Sequence, residues 1–417
     1  MNNQTTCAKC GSCTTVCPVY QISGRESHTA RGKIHLLDQT DDKKRSAAFL
    51  DIFAKCLLCG ACREVCPRDL DIPALIVKTR QKSDLLVGEH SIKKTLATKS
   101  LASPTLLAGI SKIAKKAAGL IDLLPKDSGL RLKLAELDPA LLFPNAPIKS
   151  YLETVKNRQP TNQKPDILYF TGCLANHLDP RIGLATDRLI EKTTGSPPLS
   201  PEDQVCCGLA AYSAGDLPLA KKLAKKNINA FSEDGLNRPI LTSCASCYSH
   251  LLGYAELLAD DHEWCRKALI FSQRIVEFSS FFTESSNLQT KISTITSEQI
   301  NPEICEILYH DPCHLRFKHK ITAPPRQLLS WLPNLKLNEL PHGPQCCGHG
   351  GLFNLAHPDL SGQIMAQLTN DFASTKAEVV VSTCTGCLIQ WRKTMTSREE
   401  KIRVEHLAIL LAELLRI

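Results

Sequence analysis

Apolar positions in this chain follow two different periods. Four short runs, at 167–170, 239–242, 304–309 and 379–382, are apolar almost throughout. Runs of that length without alternation predict strands covered on both faces, as in a parallel sheet. Between them, residues 185–192, 217–230 and 360–373 carry helix-type spacing. Strand, helix and strand in succession predict α/β units. Upstream, Ile34 and Leu37, then Phe49, Leu50 and Phe53, predict two helices. Farther on, Leu106, Leu107, Ile110, Ile113, Ala114, Ala117, Ile121 and Leu124 form one apolar stripe, with Lys112, Lys115 and Lys116 largely off it. Such a basic amphipathic helix can pack on its own core, on a partner subunit or on an anionic membrane surface. Residues 137–147 read as an extended linker.

The cysteines change this picture. Cys173, Cys206-Cys207-Gly208 and Cys244-Ala-Ser-Cys247 return 140 residues later as Cys313, Cys346-Cys347-Gly348 and Cys384-Thr-Gly-Cys387. Identical internal spacing marks a duplicated unit. The thiols follow the predicted strands, so they lie at carboxyl ends, where open α/β sheets place ligands. Two adjacent thiols reach one metal group only where the backbone bends, and Gly208 and Gly348 permit the bend. Five thiols exceed the four that a cubane or a zinc ion needs, which points to an unusual cluster or a thiol shared between metals. Zinc or a purely structural docking module is the plainer alternative. His310, Asp311, His314 and His349 flank the second copy, where the first has Phe170, Thr171, Leu174 and Leu209. The second site is therefore the candidate for proton-coupled or exchange chemistry, with hydrogen-bond support of a cysteine loop as the plainer role. Cys265 and Cys305 fit no pattern and read as buried small hydrophobes.

Near the N-terminus, Cys7, Cys10, Cys13 and Cys17-Pro18 are matched by Cys56, Cys59, Cys62 and Cys66-Pro67. In this bacterial ferredoxin run three thiolates hold one cubane and the fourth ligates the other. The expected sets are Cys7, Cys10, Cys13 and Cys66 for one 4Fe–4S cluster, and Cys56, Cys59, Cys62 and Cys17 for the second. Zinc favours paired Cys-x-x-Cys ligands instead. The 38 residues from 18 to 55 are too many for a bare hairpin and predict an all-helical ferredoxin domain closing near residue 82. Within them Arg31 and Lys33 either tune a cluster by charge or lie on a solvated helix face, the latter being the default reading.

The whole is an α+β multidomain chain. Residues 1–84 are expected to form the helical ferredoxin-like domain and 85–164 a helical linker segment. Residues 165–300 and 301–417 then form the two α/β cysteine-rich units. At 43% hydrophobic and 22% charged, the 417 residues are globular material. No apolar run approaches the roughly 18 residues of a spanning helix, and MNNQTTCAKC lacks the basic and apolar regions of a signal peptide. Twenty clustered cysteines point to metal in a reducing compartment. A cytoplasmic place is expected, with peripheral contact on the inner membrane face as the alternative. The formal charge is +8 with thiols counted neutral. Clusters carrying roughly −2 and −3 each would remove about ten charges. With little aromatic interleaving among the basic residues, a nucleic-acid partner is not expected.

Together these motifs resemble the CCG-domain iron–sulfur proteins. That family includes the iron–sulfur subunits of glycolate oxidase and D-lactate dehydrogenases, the third subunit of anaerobic glycerol-3-phosphate dehydrogenase, and heterodisulfide reductase subunits. The resemblance covers nearly the whole chain: both ferredoxin runs, Ala30-Arg31-Gly32-Lys33-Ile34-His35 between them, and both CCG repeats. It implies a noncubane 4Fe–4S cluster on Cys173, Cys206, Cys207, Cys244 and Cys247. A second is implied on Cys313, Cys346, Cys347, Cys384 and Cys387. The Arg-Gly-Lys-Ile stretch and the length are most similar to the glycolate and D-lactate branch. One departure is that the first Cys-x-x-Cys, often degraded in glycolate oxidase subunits, is intact here. The chain lacks a Gly-x-Gly-x-x-Gly fingerprint after a strand and a Gly-Lys-Ser/Thr phosphate loop. The implied role is therefore electron transfer from an FAD-containing dehydrogenase subunit to a quinone or other acceptor. Reduction of a disulfide at the second CCG site is the alternative.

Overall fold

Each predicted apolar run contains a short parallel strand. The computed structural model describes residues 7–40, 46–81, 91–109, 112, 149–156, 158, 165–232, 237–284, 286–293, 306–398 and 402–417. In the first unit β1 (Leu168–Phe170), β2 (Ile240–Thr242) and β3 (Ile275–Glu277) form a sheet in that order. In the second, β4 (Glu306–Tyr309), β5 (Lys336–Asn338), β6 (Val379–Ser382) and β7 (Arg403–His406) take the order β5-β4-β6-β7. Leu168 pairs with Ile240 in one sheet and Leu308 with Val380 in the other, so the duplication preserves strand register. The sequence pattern did not single out β3, β5 and β7, which are three or four residues long.

Alternate residues of the first sheet face different cores. Tyr169 and Leu241 join Leu308, Val380 and Val381 in one core spanning both units. Leu168, Phe170 and Ile240 pack the other way, under helix Leu217–Ala230. That helix buries Ala220, Leu223, Ala224, Asn227 and Ile228, and Asp216 caps it by accepting from the Leu219 N–H at 3.1 Å. Helices Pro180–Thr194 and Pro358–Ala373 contain the other two predicted helical stretches.

Charged groups also cross between the units. Buried Asp179 accepts from Arg181 at 2.7 Å and from Arg392 at 2.9 Å, and Glu405 lies 3.5 Å from both guanidiniums. His406 Nδ1 accepts from the Ala408 N–H, which leaves Nε2–H to donate to Ser243 O at 2.8 Å. This bond ties the last strand of one unit to the turn before Cys244 of the other.

Residues 7–81 carry helices and turns, with no strand among the described residues. The two expected helices are Ala30–Gln39 and Ala47–Ala54, capped by Thr29 and Ser46. Ile34, Phe49, Phe53, Ile72, Ile76 and Val77 form their core, with Phe49 stacked on Phe53 at 4.5 Å. The amphipathic stripe lies largely outside the described residues. At its start Leu107 is buried and Leu106 exposed, after helix Ser91–Ala102.

Arg80, at the end of helix Ile72–Gln81, ties this region to the first α/β unit. Its guanidinium donates to the carbonyls of Phe53 (3.1 Å), Ala54 (3.0 Å), Cys56 (2.7 Å) and Ser213 (2.6 Å). Arg80→Met is expected to lower stability by about 3 kcal/mol, since it strands several partly buried carbonyls. Arg80→Lys should recover less than half of that, because a single ammonium cannot serve four dispersed acceptors. Anaerobic denaturant titration of the cluster-loaded protein checks both.

Candidate metal centres

The N-terminal thiols gather around two adjoining cavities. One, of about 370 Å³, is lined by Cys7, Cys10, Cys13 and Cys66 together with Cys62. The other, of about 460 Å³, is lined by Cys17, Cys56, Cys59 and Cys62. Four thiols on one cavity suit a 4Fe–4S cubane. Cys62 borders both cavities, and burial together with the nearby Cys56, Cys17 and Cys13 pushes its thiol well up. Cys10 is exposed, and the Ser12 hydroxyl, 3.4 Å away, holds its thiol below the ordinary range.

Lys33 does not lie on a solvated face. It is 2% exposed and lines the second cavity, with Nζ donating to the carbonyls of His28 and Lys55. Helix Ala30–Gln39 turns Lys33 inward beside Ile34, a consequence of the 3.6 period that charge alone does not reveal. Burial pushes its pKa down, while Cys56 and Cys17 draw it back up. Arg31 stays partly exposed, bonded to Glu26 at 2.6 Å and to Lys9 O at 3.2 Å beside the first cavity.

In the α/β units the thiols stand where strands end. Cys173 starts a helix three residues after β1, and Cys244 follows β2 by two. Cys313 follows β4 by four residues, and Cys384 follows β6 by two. Gly208 at φ +93° and Gly348 at φ +77° take the left-handed turn that brings each adjacent pair to one side. In the first unit Cys173 lies 3.4 Å from Cys206, and all five thiols line a cavity of about 670 Å³. Cys206 is held well down by thiols donated from Cys173 and Cys207. Cys247 is pushed up by its bonds to Cys207 and Cys244. The second unit repeats this chain of contacts: Cys313 and Cys347 donate to Cys346, and Cys387 donates to Cys347 and Cys384.

Flanking groups differ between the copies. Behind the first site, Asn227 donates to Cys206 O at 3.1 Å and Tyr254 to Cys207 O at 2.6 Å. In the second, Asp311 is taken up by a two-pronged pair with Arg326 at 2.9 and 2.7 Å. His314 Nδ1 lies 3.2 Å from Ser246 Oγ, which lies 3.2 Å from Cys384 Sγ. His349 lines the first site's cavity, beside Gly386, where a Cβ would come within 2.8 Å of its ring. Desolvation lowers His310, His314 and His349 to about 4 each. Cys265 is half-buried, not buried, because its position opens helix Cys265–Gln273, with Sγ 3.7 Å from His262 O. Cys305 lies outside the described residues.

Two contacts join sites that the sequence leaves separate. Cys59 packs in one apolar cluster with Cys346, Cys313 and Phe353, which sets a ferredoxin thiol against the second five-cysteine set. The Cys384 thiol donates to Cys244 across the two α/β units, which pushes it up to about 12. The Ala245 N–H donates to Thr383 O at 2.8 Å, so the two Cys-x-x-Cys turns interlock. Sequence reasoning also missed Ser246 and Arg80, since nothing in their local pattern marks a contact across domains.

A family model described as a cysteine-rich domain, CCG, matches residues 167–252 and 307–392. A second, described as a 4Fe-4S dicluster domain, matches residues 3–70. The chain is 29% identical to the probable glycolate oxidase iron-sulfur subunit of Bacillus subtilis (strain 168), over 98% of this chain and 93% of that one. It is 26% identical to a dihydromethanophenazine:CoB–CoM heterodisulfide reductase subunit of Methanosarcina acetivorans, again over 98% and 93%. Lactate utilization protein A of Shouchella clausii (strain KSM-K16) is 29% identical over 58% of this chain and 97% of its own length. Matches to both copies of the duplication and to the N-terminal runs agree with the gathered thiols: the chain carries two CCG cysteine-rich domains and a 4Fe-4S dicluster domain, with iron–sulfur clusters as its cofactors.

Proposed function

We propose that this chain is the electron-carrying subunit of a flavin-dependent 2-hydroxyacid dehydrogenase acting on glycolate or D-lactate. In this reading residues 1–84 are an all-helical ferredoxin domain. It holds two cubanes, one on Cys7, Cys10, Cys13 and Cys66, the other on Cys56, Cys59, Cys62 and Cys17. Residues 165–300 and 301–417 each hold a noncubane cluster on their five cysteines. Such clusters exchange single electrons, while a flavin accepts two and releases them singly. The observation that carries the reading is continuity. Cys62 borders both ferredoxin cavities, Cys59 meets Cys346 and Cys313, and Cys384 meets Cys244. Exposed Cys10 stands at one end of the series, where a partner can approach. The relatives' names supply the substrate class. An FAD-containing subunit is the expected donor and a quinone the expected acceptor. No helix among the described residues is long and apolar enough to cross a membrane, so the proposal places any quinone contact at the membrane surface, on the cytoplasmic face.

One observation favours a second reading, reduction of a disulfide. A cavity lined by all five thiols of the first CCG site, not the second where the sequence places this chemistry, extends to His349 and Thr385 of the other unit. Anaerobic affinity purification from the native host separates the two. The relay predicts a co-purifying flavoprotein active on glycolate or D-lactate, and an isolated chain inert toward both acids. Hydroxyacid oxidation by the isolated chain would sink the relay, and thiol release from small disulfides would favour the second reading.

Iron analysis tests the site assignment: about 16 irons per chain if all four sites hold clusters, about 8 if only the ferredoxin pair does. Cys347→Ser should lose about 4 irons and leave the cubane signals intact. Unchanged iron would show that Cys347 is no ligand. Lys33→Met should lower the midpoint potential of one cubane by on the order of 50–100 mV, because a buried positive charge favours the reduced, more negative form. Redox titration followed by electron paramagnetic resonance measures it, and an unmoved potential refutes the tuning role.

A further inference from the structure

The duplication preserves register, so a buried position that differs between copies is informative. Phe170 and His310 are equivalent by the 140-residue offset. Phe170 is fully buried, and its ring lies 5.9 Å from that of Phe231 in the apolar cluster behind the first site. His310 is 2% exposed, and its ring meets Trp391 edge-on at 5.8 Å. A ring nitrogen of His310 and the Sγ atoms of Cys347 and Cys387 all lie within 4.8 Å of one another. Ligands of a single tetrahedral metal ion stand about 3.5 Å apart, so the three donors need only a small adjustment to share one ion. The backbone of His310 is fixed from both sides: its N–H donates to Val381 O at 2.8 Å, and its carbonyl accepts from Ser382 Oγ at 3.0 Å. Neighbouring Asp311 is occupied by Arg326.

We propose that His310 supplies a ring nitrogen to the metal group of the second CCG site, alongside Cys347 and Cys387. The second site is then a mixed nitrogen–sulfur centre and the first an all-sulfur one. The inference rests on the proposed reading of the second five-cysteine set as an iron–sulfur site. Histidine ligation raises a cluster's potential where it displaces a thiolate; here the neutral imidazole joins five thiolates, the same number as at the first site. The second site is then the one with a nitrogen donor. It is also the one that Cys59 reaches.

The test is pulsed electron paramagnetic resonance on the anaerobic, cluster-loaded full chain. The second-site signal is identified as the one that Cys347→Ser abolishes. Strong nitrogen coupling is expected on that signal. It should shift when the protein is grown on nitrogen-15 histidine and vanish in His310→Phe, which installs the first copy's residue. Iron content in His310→Phe should stay near the wild-type value. The labelled wild type gives a result even if that variant does not fold. Absence of histidine coupling with about 16 irons present, or coupling that persists in His310→Phe, overturns the proposal and leaves the cluster reading standing. A wild-type content of about 8 irons overturns both.

Discussion

Sulfur held against sulfur, away from water, is the constraint on which the rest of this structure depends. Eight of the ten CCG thiols are buried, and they hydrogen-bond one another in two matching chains. Burial and the neighbouring thiols push most of them up, while Cys206, Cys244 and Cys346 stay low because nearby thiols donate to them. Thiolates packed this closely repel one another and call for a metal. The backbone must therefore hold the sulfurs in place unaided by their own attraction. It does so with rigid parts: strand ends, a left-handed glycine after each adjacent pair, and side chains such as Asn227 and Tyr254 that fix the loop carbonyls.

The same constraint explains why the units interlock. A parallel sheet of three or four strands has little surface, and each unit leaves one face of its sheet to be covered. That face is shared, so Tyr169 and Leu241 of one unit pack in the same core as Tyr309 and Val381 of the other. Joining the faces brings the Cys-x-x-Cys turns together. Cys244 then meets Cys384, and Ser246 comes between His314 and Cys384. The contact between the two sites follows from the packing of the sheets.

Much of this was legible in the sequence because the signals were local. Apolar runs located four strands, period located five of the helices, and spacing grouped eighteen of the twenty cysteines. What was not legible depends on tertiary packing. Lys33 looks like any lysine on a helix, and only the phase of helix Ala30–Gln39 against Phe49 and Ile76 turns it inward. The three remaining strands, Ile275–Glu277, Lys336–Asn338 and Arg403–His406, mix polar with apolar residues and stand in no apolar run, so pairing with a neighbour makes them strands. Arg80 and Ser246 act across 133 and 138 residues, on partners that no local pattern connects.

Charge connects these parts. Counted with neutral thiols the chain is +8, yet ligation by thiolates would bring it close to zero. The excess of basic residues therefore need not mark an outward-facing anion site. Lys33 shows where part of it goes: a lysine 2% exposed, its ammonium bonded to carbonyls alone among the described residues, on the wall of a thiol-lined cavity. A buried cation without an anionic partner is costly. With a negatively charged cluster beside it that cost becomes an attraction, and thiolates and lysine compensate one another only when metal is present. Metal loading and folding are therefore coupled here on both sides of the charge balance. Without iron the second ferredoxin cavity would hold both crowded thiols and an ammonium with no anion beside it among the described residues, so filling it relieves both at once.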